Sequence, residues 1–244
     1  MGASSSSRSE AKWEEEAPIF FPEMLTSTAY HKEGPPQDWS DAAFIIPHEA
    51  LRIEMIHLRK SMDALIPTME LWRIKNFAKW MHEWFVPCVH MHHFAEERTY
   101  FPWLKSRVGT DEWPPRTAKQ HVDIVNLLDQ MDFSTQRLTE AAGEDLEFCI
   151  TTLRNDCGIF IELMLDHLEE EEILFAPLLR KYFTREEEWE TRKQIIEEGG
   201  GYEEQVILPS VFHAVENWAT LADLSPQAWR DKDLTGATSE QQDF

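Results

Sequence analysis

The sequence predicts an all-α protein: an up-down-up-down four-helix bundle with a disordered N-terminal segment and a helical C-terminal appendage. Three observations carry that prediction. Apolar residues recur at three- and four-residue spacing through the middle of the chain. Nothing sustains the period-two alternation of a half-buried strand. Proline and glycine cut the helical run into four amphipathic stretches joined by short connections. The resulting units are residues 1–40, 41–183 and 184–244.

Taken in order, residues 1–17 are rich in Ser and Glu and read as disordered. Residues 18–40 contain Pro18, Pro22, Gly34, Pro35 and Pro36 and read as an extended lead-in. The first helix is expected to begin near Pro47, a favourable first-turn residue, and to end near Ile66, before Pro67. The second runs from about Met69 to Leu104, with a kink expected at Pro87. A break at Gly109 to Pro115 precedes a third helix from Pro115 to about Gly143, and a fourth follows from Glu144 to Phe183. Beyond the bundle, residues 184–198 form an acidic helix and Gly199–Gly201 a flexible joint. Pro209 to Leu221 forms a helix with Val211, Phe212, Val215 and Trp218 on one side.

With 244 residues the chain can fill one core of moderate size with appendages. Its net charge of −22 argues against nucleic acid, or an anionic membrane reached through charge, as a partner. Cys88, Cys149 and Cys157 are too few and too scattered for a disulfide framework, which fits a cytoplasmic protein. No stretch approaches a transmembrane helix in length. Met1-Gly2-Ala3-Ser4-Ser5-Ser6 matches the N-myristoylation pattern. Only Arg8 and Lys12 support it, so a membrane tether through Gly2 would be weak and reversible.

Two segments, beginning at His92 and at His167, both read His-x-x-x-Glu-Glu-x-x-aromatic-x-Pro. Four residues on a helix rotate through about 400°, so each imidazole and its first carboxylate share a face, one turn apart. Each face continues into an apolar stripe. Behind His92 lie Val89, Phe85, Met81 and Phe77, and behind His167 lie Met164, Phe160, Cys157 and Leu153. His93 steps back instead through His90, Val86, His82, Lys79 and Lys75. On that pattern His93 and Glu97 are peripheral, with His93 close enough to support a ligand.

On the first helix, His48 shares a stripe with Leu51, Met55, Leu58 and Met62, whereas His57 lies among Glu54, Lys60 and Ser61. His57 would also sit roughly 20 Å from the level of His92 at 1.5 Å per residue. On the third helix, His121 precedes Ile124, Leu128 and Met131, and its distance from the following turn matches that of His167. Burying Glu96 and Glu171 without countercharge is costly. Two metal ions remove that cost and organise His48, His92, Glu96, His121, His167 and Glu171 into one site. Mixed imidazole and carboxylate donors suit iron, with manganese or zinc less favoured, and the absence of thiolates near the site argues against an iron–sulfur cluster. The expected cofactor is two iron ions with an oxo or hydroxo bridge.

The doubled motif, with single histidines in the first and third helices, resembles the hemerythrin-like HHE cation-binding domain over about residues 41–183. The resemblance implies a four-helix bundle holding a non-haem diiron centre, with the same six residues at its ligand positions. It also implies a protein that binds dioxygen, senses oxygen or iron, or sequesters iron. The oxygen-carrier pattern has a second histidine one turn along the third helix, where this chain has Val125. One iron therefore lacks a nitrogen donor in this reading, which weighs against reversible oxygen carriage. A diiron oxidase or peroxidase, and an iron-dependent interaction protein, are the alternative readings.

Overall fold

The computed structural model describes residues 38–65, 70–202 and 207–214. Residues 18–37 of the lead-in, the Gly2 acylation pattern, Val215 and Trp218 lie outside these residues. No strand occurs among them, and the helices form the all-α bundle. α1 spans Trp39–Leu65. α2 is continuous but passes through five stretches: α-helical Leu71–Trp80, π-helical Met81–Phe85, α-helical Val86–Ala95, π-helical Glu96–Tyr100 and α-helical Phe101–Lys105. α3 spans Thr117–Leu138 and α4 Glu144–Tyr182, followed by α5, Arg185–Tyr202, and α6, Leu208–Ala214. α4 packs against both α1 and α3, α2 packs against α3, and α6 lies on α1.

Prolines explain where helix boundaries depart from expectation. α1 does not begin near Pro47. It starts at Trp39 and carries Pro47 in its interior, so residues 39 and 40 are helical rather than extended. An interior proline leaves the carbonyl four residues back without its helical donor. That carbonyl belongs to Ala43, and the Arg192 guanidinium of α5 donates to it at 2.8 Å. The disturbance expected at Pro87 takes the form of a π turn, with the Val86 amide donating to the Met81 carbonyl. Pro102 follows a second π turn, closed by the Phe101 amide on the Glu96 carbonyl.

Gly143, just before α4, has φ of 60°, a conformation that favours glycine. The α3–α4 connection therefore ends where the notable residue is a glycine. The joint expected at Gly199–Gly201 is a non-helical break at Gly200, φ 59°, inside α5.

Among the described residues, one of the core's three apolar clusters joins α1 to α6 and the other two lie on either side of a polar layer. Leu51, Val89, Ile124, Met164 and Leu168 belong to one cluster. Phe44, Tyr100, Phe101, Phe175 and Leu179 belong to the other. Moving along α1 from Phe44 to Leu51, the chain passes His48; along α4 from Leu168 to Phe175, it passes Glu171 and Glu172. The apolar stripes therefore set the height of the polar groups as well as the packing of the bundle.

Candidate metal centre

Glu96 sits at the middle of the polar layer for a helical reason. It lies about 40° round the helix from His92 and about 60° short of His93, between the two imidazoles. Two groups of donors result. His93, Glu96, His121 and His167 present one atom each within 4.8 Å of one another. His48, His92, Glu96 and Glu171 do the same, and Glu96 belongs to both groups.

All six expected residues meet in this layer. His92 Nε2 lies 3.2 Å from Glu96 Oε1, and His48 Nε2 lies 3.5 Å from Glu171 Oε2. His121 Nε2 is 3.1 Å from His167 Nε2 and 3.3 Å from Glu171 Oε1. Glu171 is 1 % exposed and His48 and His167 are fully buried.

His93 requires a correction. It is 3 % exposed and faces inward, with its ring 4.7 Å from that of His121 and 5.4 Å from that of His167. The stripe read backwards from His93 steps through His90, His82, Lys79 and Lys75 and leaves Val89 to the face of His92. Val89 lies three residues before His92 and four before His93, so it shares a face with both, and it is fully buried. Val125 is half-buried on α3, and His93 from α2 brings a nitrogen to the group that Val125 leaves one donor short.

The second glutamate of each repeated segment has its own role. Glu97 Oε1 lies 2.8 Å from His121 Nδ1, and Glu172 Oε1 lies 2.8 Å from His48 Nδ1. With Nδ1–H donated to a carboxylate, Nε2 of each ring is left as the lone-pair nitrogen directed inward. Glu172 is itself gripped by Arg52, whose Nη2 lies 2.8 and 2.9 Å from its two oxygens, while Nη1 donates to Glu49 at 3.0 Å. Neither role was read from the sequence. Its signal was the doubled glutamate: the second carboxylate is rotated about 100° from the first and so meets the neighbouring helix.

The electrostatics describe donors waiting for positive charge. Burial pushes the Glu96 carboxyl up to about 8, reinforced by the nearby Glu171. Burial also pushes Glu171 up to about 8. His92, His93 and His167 are held neutral, well below the usual imidazole range, by burial and by one another. Burial alone would lower His48 too, but its hydrogen bond to Glu172 and the nearby Glu96 and Glu171 carboxylates raise it to about 9. Burial would raise Glu172, and His48 and Arg52 together bring it below its ordinary value.

A cation fits this arrangement. Among the described residues, Nε2 of His48 and His92, both nitrogens of His93, Nδ1 of His167, and Oε2 of Glu96 and Glu171 are buried without a hydrogen-bond partner. Opposite donors held at about 2.1 Å from a transition metal lie about 4.2 Å apart, in keeping with these groups. The donors are nitrogen and oxygen only. Cys157 lies in the apolar core, where burial raises its thiol pKa, so thiolate ligation does not compete.

The sequence model of the hemerythrin HHE cation-binding domain matches residues 43–179, more than half of the chain. The match runs through all four bundle helices and stops before α5. Comparison with curated proteins and with solved structures gave no match.

Proposed function

The chain belongs to the hemerythrin HHE cation-binding domain family, and from that premise we propose that it is a non-haem diiron protein that binds or senses dioxygen or iron. The observation that carries this reading is the sharing of Glu96 between two buried donor groups. A carboxylate common to two groups is suited to bridging two ions, and Glu171, 3.3 Å from His121 and 3.5 Å from His48, is placed to assist it.

The two groups differ. One offers three imidazoles and a carboxylate; the other offers two imidazoles and two carboxylates. Nitrogen and oxygen donors in this mixture favour iron over calcium or copper(I) and leave coordination positions open. Iron bound there would supply a one-electron redox couple and a place for dioxygen or another small exogenous ligand. The chain itself does three things. Glu97 and Glu172 fix the ring orientation of His121 and His48. Phe101 stacks on His121 at 5.5 Å and, with Phe44 and Phe175, closes one side of the layer to water. Arg52 keeps Glu172 ionised beside His48.

Iron analysis and an optical spectrum, taken before and after exposure to oxygen, test the proposal. We expect about two irons per chain and an absorption band that changes with oxygen. A protein that takes up no iron, and whose stability ignores added iron, would contradict it. An oxidase or peroxidase reading gains support from one feature, an apolar cavity that reaches His48, His92 and Glu96. Steady peroxide turnover lost in Glu96→Ala would favour that reading.

A further inference from the structure

The cavity beside His48, His92 and Glu96 is built partly from residues that lie beyond the family match. Its volume is about 100 Å³. Ile195 and Ile196 of α5, Leu208 and Val211 of α6, and the adjoining Ile207 form one side. Phe44, Met91, Ala95 and Tyr100 from the bundle form the other. At its inner end lie two imidazoles and a carboxylate from the candidate metal centre; among the described residues, the one other charged group on its wall is Arg192.

We infer that this cavity is a binding site for one small, neutral, mostly apolar organic molecule, held against the metal centre by the C-terminal helices. Its position relative to the ions rests on the diiron reading above; its existence as a binding site does not.

Size, polarity and charge each narrow the ligand. Apolar cavities of about 150 Å³ stay dry and take up molecules such as benzene. This cavity has two-thirds of that volume but is open at one end, so it suits a single small ring or a short branched chain of about five to seven heavy atoms, part of which projects to the mouth. An anion would have to shed its water in a mostly apolar cavity, and the wall's Arg192 is already bonded to Glu188 and offers it no free partner charge. A cation would meet Arg192 on the wall, and the Glu96 carboxylate that faces it is shared between both donor groups. Arg192 is already tied to Glu188 at 3.0 Å and to the Ala43 carbonyl at 2.8 Å, so it serves the wall as a strut. A neutral molecule carrying one hydroxyl satisfies the inner end and leaves its apolar body against Ile196, Leu208 and Val211.

Burial supports the idea that the C-terminal helices shape the site. Val211 and Ile196 are 6 % and 7 % exposed although they lie outside the four bundle helices. α6 packs on α1 through Val211 and Ala214 against Ala42, Ile45, Ile46 and Ala50. That packing fixes the outer wall at the level of His48, so a change in α6 alters the cavity without touching a metal-facing residue.

Titration calorimetry of the full chain with phenol, in iron-free and iron-loaded protein, tests the inference. The iron-free protein is expected to bind one phenol saturably, and benzoate at least tenfold more weakly. Val211→Trp, which fills the cavity, is expected to weaken phenol binding at least tenfold while helix content and iron content stay at the wild-type level. Ile196→Trp provides a second filling variant if Val211→Trp fails to fold. Absence of saturable phenol binding to the wild type, or unchanged binding in a folded filling variant, would overturn the inference. Benzoate binding as tightly as phenol would overturn the neutral class. Phenol binding without any iron uptake would count against the diiron reading alone.

Discussion

Glu97 and Glu172 show how much of the centre depends on groups that touch no ion. Each accepts the Nδ1 proton of a histidine from a neighbouring helix, at 2.8 Å. Outer partners of this kind typically contribute 10- to 100-fold to metal affinity. Glu97→Gln and Glu172→Gln should therefore each weaken iron binding by about 10- to 100-fold, measured by chelator competition, with helix content unchanged. Equal affinity in both variants would mean that the rings are oriented by packing alone.

The same residues give a pH signature. Glu96 and Glu171, raised to about 8 from 4.5, hold protons in the metal-free native state that the unfolded chain has already lost. His48, raised to about 9 from 6.5, does likewise. Above about 6.5 the native state thus binds more protons, and the metal-free protein should lose stability as pH rises from about 6.5 through about 9. The neutral His92, His93 and His167 act oppositely below about 6.5, where only the unfolded chain takes up their protons. Metal entry must displace the protons held on the carboxylates and His48. Loading a weakly buffered sample should acidify it clearly at neutral pH and much less above the His48 pKa, as a pH electrode would record. Proton release that does not depend on pH would contradict this.

Residue-level legibility was uneven for a physical reason. His48, His92, His121 and His167 each continue an unbroken apolar stripe within reach of a turn, so face and height could be read from spacing. His93 could not be read in the same way, because His90, His82, Lys79 and Lys75 behind it are polar and its buried neighbour Val89 is shared with His92. Glu97 and Glu172 act across helices, through contacts that spacing on one helix does not express.

At the scale of elements, prolines decide the backbone. Pro47 frees the Ala43 carbonyl, and Arg192 of α5 satisfies it. Arg192→Met would remove that donor and leave the carbonyl without it, lowering stability by about 1–3 kcal/mol in urea denaturation. Gly143 gives a cleaner case. Its φ of 60° suits glycine, and a Cβ placed there would meet nothing within 4 Å. Gly143→Ala should therefore destabilise the protein by about 1–3 kcal/mol through backbone strain alone, read from urea denaturation. An unchanged midpoint would show that the α3–α4 connection relaxes without cost. Helix existence was legible throughout, because amphipathic periodicity is long-range and redundant. Helix ends were less so: Pro47 has the propensity of a first-turn residue, yet Phe44, Ile45 and Ile46 are buried before it and extend α1 upstream.

At the scale of the whole molecule, the bundle is an apolar body divided by a charged layer. Two clusters flank the layer, and burying its carboxylates and imidazoles opposes folding unless cations enter. Each ion held at a hundredfold excess over its dissociation constant adds about 2.7 kcal/mol to stability. Chelation should lower the melting temperature by several degrees, and iron should restore it. Among the described residues no helix is long and apolar enough to cross a membrane. The C-terminal helices add a wall to the cavity at the metal centre, which periodicity could not anticipate because the contact joins distant parts of the chain.

Metal stoichiometry, measured by mass spectrometry on wild type, His93→Ala and Glu96→Ala, tests the central claim most directly. Two buried groups sharing Glu96 predict two ions in the wild type, a selective loss at one site in His93→Ala, and loss of both ions in Glu96→Ala. A wild type that binds at most one ion, or a Glu96→Ala variant that retains two, would contradict it.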